Sequence, residues 1–270
     1  MATGVRVTAV LIVCVLVSSA APSARAEGPA DLRSAFASAF AGVEACAALR
    51  DVAPGAETAT SDGLECARRL PPCATLEIPA TVIALDRGVV PDANAPLKRN
   101  PAIEGDPPDG VSLRDAFRGS VPWVSEEVVR RVSPDAFAKA LGAMRYGDAE
   151  TGAAPIPPGR DDGGPALTLS AVEQVEFLAR LKRGELPTTA ESQARTVEIV
   201  PAERIGDASF AVKSGSCRGA AWAVGWVDRG PRSTIFAVVE TGAGDRSVED
   251  AVSRTRTLMT NLGLVAPPGP

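Results

Sequence analysis

The chain has 270 residues, 28 Lys and Arg against 33 Asp and Glu, five cysteines and no histidine. The missing histidine excludes Ser–His and Cys–His catalytic pairs and His-ligated metal sites. A formal charge of −5 argues against a nucleic-acid partner, which would call for a basic face. With 45% hydrophobic but only 4% aromatic residues, the core must be built mainly from Ala, Val and Leu.

The N-terminus predicts a cleaved secretory leader over 1–26. Arg6 precedes the apolar run Val7–Val17, and Ala24-Arg25-Ala26 has the small-x-small form of a cleavage site. The run is shorter than the ~20 residues of a membrane span, so no stable membrane anchor is expected and the protein should be secreted or periplasmic. The leader carries two arginines and no acid, so its removal takes the formal charge from −5 to −7 and leaves 244 residues. Cys46, Cys66, Cys73 and Cys217 remain, an even count that suggests two disulfides in an exported protein.

Residues 28–42 predict a short amphipathic helix, with Leu32, Phe36 and Phe40 recurring every four positions. Cys46–Asp51 and Thr58–Ser61 read as a hairpin around Pro54-Gly55. Thr75–Leu85 has helical spacing closed by Gly88, despite Pro79. Asp92–Gly110 and Thr151–Pro165 read as loops. Val111–Met144 predicts three short helices, one opened by Ser133-Pro134. Ser170 and Glu173 form a capping box, and Gly184 ends that helix. Strands are expected at Ser209–Lys213, Ala220–Val227 and Thr234–Glu240. A last helix runs from Val248 to Leu262, with Ser247 before it and Gly263 after it. The pattern is α+β, an α/β sandwich: an antiparallel sheet flanked by helices, with an all-helical insertion. A single domain is expected over 27–270, its sheet lobe about 27–80 and 195–270 and its helical lobe about 81–194.

Leu70–Val90 reads LPPCATLEIPATVIALDRGVV. It resembles the active-serine segment of class D β-lactamases and related penicillin-sensing domains, approximately PxSTFKIPxxLIxLxxGV. Further matches follow in order: Leu113–Val132 with the second motif, Tyr146-Gly147-Asp148 with YGN, Leu169–Pro187 with a helix and its exit loop, Lys213-Ser214-Gly215 with K-[ST]-G, and Ala221–Arg229 with the next strand. The resemblance implies a serine that attacks the β-lactam carbonyl and a lysine one helical turn later, held carbamylated, as base. It further implies a second-motif serine that relays a proton, a K-[ST]-G strand that holds substrate, and backbone donors to the oxyanion.

The resemblance places the nucleophile position on Ala74 and the lysine position on Glu77, so no catalytic residue is intact. Thr75 and Cys73 are each one residue off, and a helix turns ~100° per residue, away from the site. The tryptophan that shields the family's lysine falls on Asp162 and the Asn of YGN on Asp148. The arginine for the substrate carboxylate falls near Ala251, with Arg246 and Arg254 as substitutes that spacing does not favour. What remains of a vestigial pocket is Ser120, Tyr146, Gly147, Asp148, Asp162, Lys213, Ser214 and Gly215. Trp222 and Trp226 read as core. Glu77 is either a solvated helix residue or the partner of Lys213 or Ser120; a charge left unpaired in a cleft is costly, which favours pairing. For the cysteines, Cys46–Cys66 with Cys73–Cys217 is favoured and Cys66–Cys73 is the rival.

The expected function is a secreted class D β-lactamase-like pseudoenzyme with no metal and no cofactor, whose ligand, if any, is a β-lactam or cell-wall-like molecule held non-covalently. The alternatives are a hydrolase that uses Glu77 as base and a non-covalent penicillin-binding sensor.

Overall fold

The computed structural model describes Met1 and residues 30–148, 167–217, 219–242 and 247–267. The remainder of the expected leader and the expected loop over 151–165, with Asp162, lie outside these residues. Helix α1 (Ala30–Ala39) carries the Leu32 and Phe36 stripe, and Phe36 stacks on Phe40 at 4.8 Å. Strands β1 (Ala45–Asp51) and β2 (Ala59–Thr60) pair antiparallel as the hairpin. A short helix α2 (Gly63–Ala67) follows. The active-serine segment is not one helix. It begins as a 3₁₀ turn over Cys73–Leu76 and continues as α3 (Glu77–Asp86). Pro79 then falls in the first turn of α3, where its missing N–H has no helical partner to lose.

The expected loop over 92–110 contains β3 (Pro96–Leu97), paired with β4 (Val111–Ser112). Three helices follow: α4 (Leu113–Gly119), α5 (Pro122–Val132) and α6 (Pro134–Ala143). The Ser133 hydroxyl caps α6 by accepting from the Ala136 N–H. Helix α7 (Ala171–Arg183) has the full Ser170–Glu173 capping box and stops at Gly184, φ +72°. Helix α8 (Ala190–Ile199) was not legible. Its buried face is Ser192, Gln193, Thr196 and Ile199, so the side turned inward is mostly polar and shows no apolar period. Gln193 makes it viable by accepting from the Leu186 N–H and donating to the Leu186 and Thr188 carbonyls.

Strands β5 (Ala202–Ile205), β6 (Ala208–Cys217), β7 (Ala220–Arg229) and β8 (Arg232–Glu240) precede α9 (Val248–Asn261). The six-stranded sheet has the order β2-β1-β8-β7-β6-β5, antiparallel throughout. Strand alternation divides the interior in two. From β8, Ile235, Ala237 and Val239 enter the larger core with α3, α5, α6 and α7, whereas Phe236 and Val238 face α1 and α9. Two disulfides staple this frame. Cys46–Cys66 joins β1 to α2, and Cys73–Cys217 joins the 3₁₀ turn to the end of β6, with Cα separations of 5.3 and 5.5 Å. Among the described residues no helix is long and apolar enough to cross a membrane.

Removing Cys73–Cys217 by a double Cys→Ala substitution should lower stability by about 2–5 kcal/mol, read from the shift of a urea midpoint. A second expectation concerns acid. The buried Glu127 carboxylate accepts from Arg130 at 2.5 Å and Arg131 at 2.7 Å, and Arg131 also reaches the Lys98 carbonyl. These contacts, Arg130's foremost, hold the Glu127 carboxyl down at about 2, from an ordinary 4.5. A depressed carboxyl contributes stability above 4.5 and loses it as pH falls towards 2. Glu127→Gln should flatten that acid limb of the stability curve and, because both arginines are partly solvated, cost only about 1 kcal/mol at neutral pH.

Candidate functional site

Lys213 stands in the middle of β6. Alternation sends Ala211, Lys213 and Gly215 towards the larger core and Val212 and Ser214 towards α9. Gly215 lets the strand touch the 3₁₀ turn. A Cβ built there would lie 2.6 Å from both the Cβ and the backbone N of Ala74. The Ala74 methyl is therefore packed against β6, and the next residue on the core face is Lys213.

Glu77 opens α3, where the helix N-terminus favours a negative charge. Its Oε2 lies 2.7 Å from Lys213 Nζ, and the two side chains are only 5% and 2% exposed. The contact is an ion pair; Oε1 has no hydrogen-bond partner among the described residues. The ammonium also donates to the Phe117 carbonyl at 2.9 Å and to Ser120 Oγ at 2.8 Å, and lies 5.0 Å from the centre of the Phe117 ring. Nζ thus has the Glu77 carboxylate, the Phe117 carbonyl and the Ser120 hydroxyl around it. Ser120 reaches it because it ends α4 in a left-handed conformation, φ +46°. Burial pushes the Glu77 carboxyl up and the Lys213 ammonium down, and their mutual attraction opposes both shifts.

Next to Glu77 lies a space of about 10 Å³, bounded by Thr81, Phe117, Ser125 and neighbouring apolar groups. That is about the room one water needs. No replacement nucleophile flanks Ala74: Cys73 is in its disulfide, and the buried Thr75 hydroxyl donates to the Pro72 carbonyl at 2.6 Å. Ser120 Oγ accepts a hydrogen bond from Lys213 Nζ at 2.8 Å.

The other sequence candidates are not gathered at this point. Ser214 opens instead onto a cleft of about 470 Å³ against α9, with Val248, Glu249, Val252, Ser253 and Arg256. Tyr146 is buried edge-on against Phe177. Gly147, φ +59°, needs its missing side chain, since a Cβ would lie 2.2 Å from the Thr168 carbonyl oxygen. Asp148 accepts from the Thr168 N–H at 2.7 Å and hydroxyl at 2.6 Å, pinning the same turn. Ala251 is buried on α9, and Arg254 is taken by Glu240, 2.9 Å from both its oxygens. Arg246 and Asp162 lie outside the described residues. Trp222 is buried with Nε1 donating to the Pro71 carbonyl, and the buried Trp226 packs beneath Lys182. Phe117 was missed from sequence because its carbonyl, with no side-chain signature, is what Lys213 uses. No cluster of acidic, Cys or His residues suited to a metal occurs among the described residues.

No family model matches the chain. It is 25% identical over 230 residues to Beta-lactamase OXA-9 of Klebsiella pneumoniae, covering 73% of this chain and 82% of that protein. It is 30% identical over 184 residues to Beta-lactamase OXA-2 of Salmonella typhimurium, covering 66% and 64%. A solved structure described as class D beta-lactamase BAT-2 delta mutant superposes with a TM-score of 0.73 at 20% identity, over 86% of this chain and 97% of that one.

Breaking the buried pair from one side should be far worse than replacing both partners. Glu77→Gln and Lys213→Met alone should each destabilise by about 3 kcal/mol, because each strands a buried charged or polar partner. Glu77→Leu combined with Lys213→Met should recover most of that loss, as measured by urea denaturation of the four proteins.

Proposed function

We propose that the chain is an exported member of the class D β-lactamase family without the family's covalent chemistry. The observation that carries this proposal is the sealed Glu77–Lys213 ion pair, beside an alanine at the place the resemblance assigns to the nucleophile. Acyl-enzyme formation needs an oxygen nucleophile, and Ala74 offers a methyl group. Losing the activated groups of such a site typically costs orders of magnitude in rate. Covalent penicillin sensing needs the same missing serine.

Direct hydrolysis with Glu77 as base is not supported either. Its carboxylate is held 2.7 Å from Lys213 Nζ, with the side chain only 5% exposed. A non-covalent ligand of β-lactam or cell-wall type would find space in the cleft beside Ser214. Export is supported by the leader-like residues 1–26 and by two disulfides, which persist in oxidising compartments.

The test is to incubate the purified protein with a fluorescent penicillin and a chromogenic cephalosporin. We expect no label that survives denaturation and no turnover above the blank; either one would overturn the proposal. Ala74→Ser combined with Glu77→Lys should restore little activity. The introduced lysine would face Lys213 as a second cation, and the acidic Asp162 at the shield position cannot supply the apolar cover that keeps a lysine neutral for carbamylation.

A further inference from the structure

A second concentration of charge is built on α7 and takes no part in the Glu77–Lys213 site. Glu173, Glu176, Arg180 and Arg183 follow one another at helical spacing and form a single polar stripe. Arg50 comes from β1, on the face it shares with Cys46 and Ala48, which pack into the same core as α7. Arg145 comes from the turn after α6, held at φ +51°. These six residues line a cleft of about 490 Å³, within the ~300–1,000 Å³ range of small-molecule sites.

The acids present do not neutralise the arginines. Glu173 is occupied by Arg69, at 2.5 Å, and by the Ser170 N–H. Arg183 Nη1 donates to the Val52 carbonyl and Nη2 to Glu185. The Nε atoms of Arg50 and Arg183 are nevertheless buried with no hydrogen-bond partner among the described residues. Arg180 is pushed down by burial first and then by the charge of Arg145. The C-terminus of α7 accounts for Arg180 and Arg183, since cations are favoured there. It does not account for Arg50 and Arg145, which arrive from two other elements. A single carboxylate would engage one guanidinium fork and leave the others uncompensated.

We propose that this cleft is a binding site for a compact, multiply charged oxyanion, of the phosphate or carboxylate kind that guanidinium forks recognise. The proposal is independent of whether the chain hydrolyses β-lactams.

Isothermal titration of the purified protein with inorganic pyrophosphate, and in parallel with citrate, tests it at low salt. Saturable binding at one site by either probe is expected, the tighter one identifying the preferred headgroup. Affinity should fall as salt is raised. Arg50→Gln and Arg145→Gln should each weaken binding by about tenfold, whereas Arg229→Gln, at an exposed ion pair with Asp207, should leave it unchanged. Thermal melts of the variants show that each is folded. Absence of saturable binding by both probes overturns the proposal, as does binding that Arg50→Gln and Arg145→Gln leave intact.

Discussion

An ammonium group inside the protein is the constraint around which this part of the chain is arranged. Strand alternation puts Lys213 indoors, and a buried charge is tolerated only when paired and hydrogen-bonded. The partners come from two places in the chain, the start of α3 and the end of α4. Glu77 arrives at the N-terminus of α3, Phe117 offers a carbonyl from the last turn of α4, and Ser120 adopts a left-handed conformation to reach in. Gly215 gives up a side chain so that the 3₁₀ turn can close over the strand beside them. Together these features bury the Glu77–Lys213 pair.

That arrangement bears on how such a site could change over generations. Restoring a serine at 74 alone would leave Glu77 bound to Lys213. A lysine at 77 alone would set two ammonium groups against each other in a buried position. Introducing serine–lysine chemistry therefore passes through a destabilised or still ion-paired intermediate whichever step comes first.

The frame was largely legible in the sequence because its signals are local. Ser170–Glu173, Ser133-Pro134 and Ser247 with Asp250 mark helix starts by the donors they satisfy, and all three are found capped. The β6–β8 meander declared itself through long apolar runs. Helix α8 did not, because Gln193 and Thr196 replace apolar burial with hydrogen bonds. The candidate site was half legible. Motif order placed Lys213, Ser120 and Glu77 in one neighbourhood, but it also grouped Ser214 with them. Ser214 faces α9 because successive residues of a strand point to opposite sides. The contact of β6 with Ala74 was not legible at all, since it depends on how closely the 3₁₀ turn approaches Gly215. The arginine cleft was equally hidden: its residues are scattered from 50 to 183 and meet only in the fold.

The Cys73–Cys217 bridge closes a circuit of 144 residues, more than half the chain. The helices from α3 to α8 and the β3–β4 pair all lie on that circuit. A backbone cut anywhere within it leaves the two pieces covalently joined. In an oxidising, protease-rich setting the molecule would thus have a tolerance that its fold alone would not confer. It can be nicked in an exposed connection and still present one intact mass, one sheet and one set of surfaces until a reductant opens the ring.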